Sequence, residues 1–205
     1  MAYEAVYNVK IRNKCIALTF DVGWGKKVLS PVLDTLSANH VNKATFFLSS
    51  TWVKERPQLA LKVKARGYEI GSHGQLHENY TEHTNAWIIR EVKQAQNTIN
   101  RVTGIKCRLF RTPNGDMDQR VVRLLGKLGY KTIHWNVDSL DWKNPGIKNI
   151  IQRSSTNVKS GDILLFHASD SARQTAKALP SILRRLRRQG FQFVTVSELL
   201  SMRIK

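Results

Sequence analysis

The stretch Cys15-Ile-Ala-Leu-Thr-Phe-Asp-Val-Gly23 decides how the rest of the chain is read. Its first six residues, Cys15–Phe20, form a short, nearly continuous apolar run, as in a strand buried on both faces of a parallel sheet. The run then ends in Asp21 and Gly23, which puts an acid at the carboxyl end of a buried strand. Outward from this segment the same unit recurs. Further strand-like runs are Ala44–Leu48, Tyr68–Gly71, Arg108–Arg111, Thr132–Val137, Asp162–His167 and Phe191–Val194. Helical periodicity fills Lys27–Asn39, Pro57–Arg66, Asn85–Val102, Asp118–Leu128, Ile147–Val158 and Arg173–Arg188. A last short helix, Ser197–Met202, is read with Ser197 as N-cap and Glu198 in its first turn.

Strand–helix alternation along the whole chain predicts an α/β fold with a mostly parallel sheet and helices outside it. An open doubly wound sheet and a closed barrel both satisfy the pattern. No Gly-x-Gly-x-x-Gly follows the first strand, so the dinucleotide-binding form lacks its marker. At 205 residues, with no low-complexity linker, the chain suits a single domain. Residues 1–13 read as an N-terminal extension and residues 14–205 as the domain.

Composition narrows the partners. No apolar stretch approaches the roughly 20 residues of a membrane span. Residues 1–14 have no continuous apolar core of the signal-peptide kind, so localisation is not legible there. Cys15 and Cys107 match neither a disulfide framework nor a metal spacing and are expected as small buried hydrophobes. The net charge of +18 favours polyanionic partners such as nucleic acid, anionic lipid or an acidic cell wall. Part of that excess is local: Arg184, Arg185, Arg187 and Arg188 share a segment with Ile182, Leu183 and Leu186, the pattern of an amphipathic helix with a solvated outer face. Basic residues are not interleaved with aromatics, and no nucleic-acid-binding motif is present, so no specific nucleic acid is expected.

In parallel α/β folds, chemistry gathers at the carboxyl ends of the strands. Five such ends here carry reactive side chains: Asp21; His73 and His77; Arg111 with Asn114; Trp135, Asp138 and Asp141; and His167. Each has a structural reading taken alone. Asp21 could cap a turn, Arg111 could be a surface ion pair, His167 a satisfied core histidine and Trp135 plain packing. His73 and His77 are four apart, which puts both imidazoles on one face if the turn is helical. Two neutral imidazoles with a carboxylate make a common catalytic zinc site, whereas two loop histidines bonded to backbone make none.

Read in order, these segments resemble the five motifs of the NodB-homology polysaccharide deacetylases, carbohydrate esterase family 4. The resemblance runs from about Lys14 to Leu200 and is strongest to the sporulation-associated branch, through Asn42-Lys-Ala-Thr-Phe-Phe-Leu-Ser49, Asp141-Trp-Lys-Asn-Pro-Gly146 and His167-Ala-Ser-Asp-Ser-Ala-Arg-Gln-Thr175. It implies a distorted (β/α)7-type, TIM-like barrel and metal-dependent removal of acetyl groups from N-acetylated sugars, with zinc as the divalent metal. The implied substrate is peptidoglycan or a chitin-like oligomer, and the implied location is extracellular, at the cell wall or spore envelope. Carried over by motif, Asp21 matches the catalytic base, His73 and His77 the metal-binding histidines, and Arg111 the arginine that orients the base. The backbone N–H of Asn114 matches an oxyanion donor, Trp135 a wall of the sugar groove, and Asp138 falls with the substrate-binding residues. Asp141 matches the carboxylate that tunes the acid, and His167 the acid itself.

The pattern breaks at one ligand. Active members of that family usually read Thr-Phe-Asp-Asp-Gly in the first motif, and the second aspartate is the metal's carboxylate ligand; here that position is Val22. Asn114 stands where a tyrosine is frequent, and Gly74 where a serine or threonine follows the first histidine. Three functions are therefore open: a metal-dependent N-deacetylase with a two-histidine site, a catalytically degenerate glycan-binding relative, and a protein that binds an anionic cell-wall polymer through its +18 surface.

Overall fold

The computed structural model describes residues 3–204, so the outer ends of both expected segments, residues 1, 2 and 205, lie outside the described residues. β1 (Cys15–Val22) is the axis of the fold and is buried along its whole length. It pairs in parallel with β2 (Thr45–Leu48), β7 (Ile163–His167) and β8 (Gln192–Val194). From β2 the sheet continues through β3 (Glu69–Ser72), β4 (Leu109–Phe110) and β5 (Lys131–Thr132), and from β7 to β6 (Val137–Asp138). The order β5-β4-β3-β2-β1-β7-β6 curls into a distorted parallel barrel of the (β/α)7 type.

Side chains alternate across β1, and the alternation builds two layers. Ile16, Leu18, Phe20 and Val22 face the helices, where Phe20 stacks on Phe46 at 4.9 Å and on Phe166 at 5.5 Å between ring centroids. Cys15 and Ala17 belong to the other apolar cluster, with Phe47, Leu109, Ile133 and Ile163 in the barrel interior. Both cysteines are free and buried, as expected.

The outer layer comes from α1 (Leu29–Ala38), α3 (Pro57–Ala65), α4 (Asn85–Thr103), α5 (Gln119–Lys127), α6 (Ile147–Ser155) and α7 (Thr175–Arg188), with α2 (Ser50–Glu55) inserted straight after β2 and α8 (Val196–Ser201) closing the chain. α7 has the expected division, with Ile182, Leu183 and Leu186 buried and its four arginines exposed. No helix among the described residues is long and apolar enough to cross a membrane.

Two readings need correcting, and one condition is settled. The segment Thr132–Val137 is not one strand: β5 ends at Thr132 and β6 begins at Val137, because the chain crosses there between two sheet edges that do not pair with each other. Residues ahead of β1 occupy that crossing, through bonds from Val6 N–H to Thr132 O (2.9 Å), His134 N–H to Val6 O (2.7 Å) and Val9 N–H to Gly161 O (2.9 Å). The last helix is capped by Thr195 rather than Ser197, in a capping box with Glu198. The condition on the histidine spacing is not met, because the chain between His73 and His77 is a loop that turns through Gly74 at φ +72°.

Candidate active site

All nine residues singled out in the sequence converge on the carboxyl end of the barrel. Eight side chains or backbones meet at one cleft of about 550 Å³ or directly behind it: Asp21, His73, His77, Asn114, Trp135, Asp138 and His167 line it, and Arg111 lies beneath. Asp141 is buried behind His167.

Arg111 organises the floor. It is fully buried, yet nearly every donor of its guanidinium has a partner. Nη1 donates to Asp21 Oδ1 at 2.8 Å and to Thr19 Oγ1 at 2.9 Å, Nη2 to His134 O at 2.9 Å, and Nε to Ile133 O at 3.3 Å. The guanidinium also lies 4.2 Å from the Phe47 ring centre. A buried charge so completely satisfied fixes the carboxylate that it holds. Burial alone would raise the Asp21 carboxyl, but Arg111, with His73 and His167, outweighs it and holds the group below the usual range.

His167 is placed by register, because β1 and β7 align Asp21 with His167. Its Nδ1–H donates to Asp141 Oδ1 at 2.7 Å, its backbone N–H reaches Asp141 Oδ2 at 2.8 Å, and Thr175 Oγ1 donates to the same oxygen at 2.6 Å. Burial would lower the imidazole, but the hydrogen bond and charge of Asp141 override it and raise His167 above its ordinary value. A histidine so held keeps its proton to higher pH than a free imidazole, and with Nδ1 bound to Asp141 it has Nε2 left for the cleft that it lines.

The histidine pair sits opposite. Gly74 lets the loop turn back sharply, bringing the two rings into an edge-to-face contact 5.5 Å apart. A Cβ at Gly74 would come within 2.5 Å of the Tyr80 hydroxyl, so the serine or threonine of the usual pattern has no room here. His73 Nδ1 is 2.9 Å from Arg111 O, which makes that nitrogen the N–H donor and turns the Nε2 lone pair outward. Burial pushes His73 down to about 4 and lowers His77 as well, so both are neutral imidazoles at neutral pH. Asn114 occupies a left-handed conformation at φ +57°, which asparagine tolerates better than tyrosine does.

The donors present do not fit a resident zinc ion. Neutral imidazoles suit such a metal, and His73 has an oriented Nδ1–H, but catalytic zinc sites normally take three protein ligands. Val22 is fully buried with the helix-facing layer and offers no donor. Asp21 is committed to Arg111 through one oxygen, and the other is 3.9 Å from His73 Nε2. No group of three or more His, Cys, Asp or Glu side chains suited to a metal exists among the described residues.

Several residues matter that sequence reading passed over. Glu91, buried on α4, accepts from the N–H groups of Gln75 (2.9 Å) and Leu76 (2.6 Å), and so anchors the loop between the two histidines. Thr19 bridges Arg111 to Leu164 O, and Ser169 Oγ accepts from Gly23 N–H at 2.8 Å. Only Thr19 left a trace in the sequence, two residues before Asp21 on the same strand face.

Comparison with known proteins agrees with this geometry. Residues 8–133 match the polysaccharide deacetylase family. A peptidoglycan-N-acetylglucosamine deacetylase of Bacillus cereus is 35% identical over 197 residues, taking in 95% of this chain and 92% of its own length. The uncharacterized protein YlxY of Bacillus subtilis is 29% identical over 197 residues, and the match covers 96% of this chain and 60% of YlxY, so the chain spans less than two thirds of that relative. BA3943 of Bacillus anthracis, described as a pseudoenzyme of carbohydrate esterase family 4, superposes with a TM-score of 0.92 at 31% identity, over 100% of this chain and 72% of its own. A BA3943 mutant described as having restored enzymatic activity superposes with the same TM-score of 0.92 at 31% identity, over 100% of this chain and 74% of its own.

Proposed function

This chain belongs to the polysaccharide deacetylase family, and we propose that its cleft binds an N-acetylated glycan of the peptidoglycan type while its deacetylase chemistry is held back by one missing ligand. The observation that carries this reading is Val22: a complete base, arginine, acid and acid-tuning carboxylate surround a metal position reduced to two imidazoles.

The residues present divide the labour of amide hydrolysis. Asp21, kept anionic by Arg111, is the group that takes a proton from an attacking water. His167, whose pKa Asp141 raises, is the group that gives one to the departing amine. The N–H of Asn114, which lines the cleft, is the donor assigned to the developing oxyanion, and such a donor is typically worth about 3 kcal/mol. Trp135 and Asp138 bound the sugar. What this set lacks is a strong electrophile at the carbonyl, which two imidazoles cannot replace.

Substrate follows from the relatives. The Bacillus cereus relative is named for peptidoglycan N-acetylglucosamine, and a Bacillus subtilis relative, PdaA, 31% identical over 202 residues, for peptidoglycan N-acetylmuramic acid. A peptidoglycan-type strand, with chitin-like oligomers as the simpler analogue, accordingly leads for this cleft. The same chemistry argues for the wall or spore envelope as its place of action and is consistent with the sporulation-like motifs. Arg184, Arg185, Arg187 and Arg188 are exposed and in no ion pair among the described residues, which favours a supporting attraction to an anionic wall polymer.

Calorimetric titration with the N-acetylglucosamine tetramer tests the binding half of this reading. Saturable binding that weakens in Trp135→Ala is expected. Absence of any saturable binding to the folded protein would refute it.

A further inference from the structure

Trp24 is the most exposed large apolar side chain among the described residues, at 56%. It is not a loose loop residue. Asp170 grips the backbone just beyond it, its carboxylate accepting from the N–H groups of Lys26 (3.1 Å), Lys27 (2.7 Å) and Val28 (3.0 Å). Trp52 Nε1–H donates to Gly25 O at 2.8 Å. Gly25 holds φ +88°, and a Cβ there would come within 2.2 Å of Asp170, so the turn is built for glycine. On the near side, Gly23 N–H is tied to Ser169 at 2.8 Å. The loop is thus pinned on both sides of a tryptophan left in water. Folding gains nothing by exposing an indole, so its rigid presentation calls for a ligand.

Position identifies that ligand. Trp24 lines the same cleft as His167, His73 and His77. It follows β1, whereas Trp142, also lining the cleft and 45% exposed, follows β6. The strand between β1 and β6 is β7, and its last residue is His167. Two exposed indoles therefore flank the acid at the carboxyl end of the sheet. The apolar C–H face of a pyranose ring fits a flat indole, and a preorganised tryptophan offers much contact area at little entropic cost.

We propose that Trp24 is a stacking platform for a second sugar ring, adjacent to the ring whose acetamide lies at Asp21 and His167, so that the cleft selects a chain of N-acetylhexosamines over a monosaccharide. This rests on the glycan-binding reading above and adds a substrate length to it. The test is calorimetric titration of wild type, Trp24→Ala and Trp24→Phe with N-acetylglucosamine and with its tetramer, with thermal melts of each variant. Trp24→Ala is expected to bind tetramer about tenfold or more weakly, as loss of an aromatic anchor does, with unchanged monosaccharide binding and an unchanged melt, and Trp24→Phe is expected to recover most of the affinity. Unchanged tetramer binding in Trp24→Ala, or an equal loss for tetramer and monosaccharide, would overturn the platform and leave the glycan reading standing. If wild type binds no tetramer, both fall together.

Discussion

Replacing Val22 by aspartate perturbs fold and site at once, in opposite directions, and the structure sets the size of each. Val22 is fully buried beside Phe20 and Leu48. Removing it from that layer forfeits about 2 kcal/mol of apolar burial. An aspartate there adds the effective penalty of a buried, unpaired carboxylate, about 3 kcal/mol even after relaxation. The metal-free variant is thus expected to lose about 5 kcal/mol, which for a domain of this size lowers Tm by about 10–20 °C. The chain next to residue 22 borders the histidine pair, since a Cβ on Gly23 would lie 3.6 Å from His77 Cδ2. A carboxylate that turns from the helix-facing layer toward that loop would complete a set of two imidazoles and one carboxylate. Zinc at a hundred times its dissociation constant returns about 2.7 kcal/mol, or about 5–10 °C. The assay is thermal unfolding of wild type, Val22→Asp and Val22→Ala, with zinc and with chelator. Zinc should stabilise Val22→Asp strongly and the other two little. An equal zinc shift in wild type would show that two histidines and Asp21 suffice and that Val22 does not limit metal binding.

Two further perturbations address the acid and the histidine loop. Asp141→Asn removes the charge that raises His167; because that pKa is raised, the pair stabilises the fold fully below about 6.5 and loses this contribution as pH rises through the folded value. NMR titration should find the His167 pKa lowered in the variant, with about 1–3 kcal/mol of stability lost at pH 6, and an unshifted titration would remove Asp141 from its role. Glu91→Ala leaves the N–H groups of Gln75 and Leu76 without their acceptor and should cost about 1–3 kcal/mol in chemical denaturation, whereas Glu91→Gln, which keeps an acceptor oxygen, should recover most of it.

Much of this site was legible because its chemistry lies where a parallel α/β fold exposes chain: Asp21, Arg111 and His167 each fall at or just beyond a strand end that the apolar runs already marked. What escaped depended on tertiary partners. Glu91 lies on an amphipathic helix and reads as a solvated acid, yet it is buried against the histidine loop. The spacing of His73 and His77 fits a helix, but Gly74 produces the same proximity through a left-handed turn. The break between Thr132 and Val137 is invisible locally, because residues near Val6, far away in sequence, supply the missing pairing. The cap at Thr195 was available from its spacing to Glu198 and was obscured by an equally suitable Ser197.

The proposed function implies that a single ligand position, residue 22, separates this protein from an active deacetylase. Acetate release from the N-acetylglucosamine tetramer, measured with saturating zinc for wild type and Val22→Asp, tests it most directly. Release at background is expected for wild type, and zinc-dependent release for Val22→Asp that disappears when His77 is also replaced by alanine. Zinc-dependent release by wild type as fast as by the variant would contradict it.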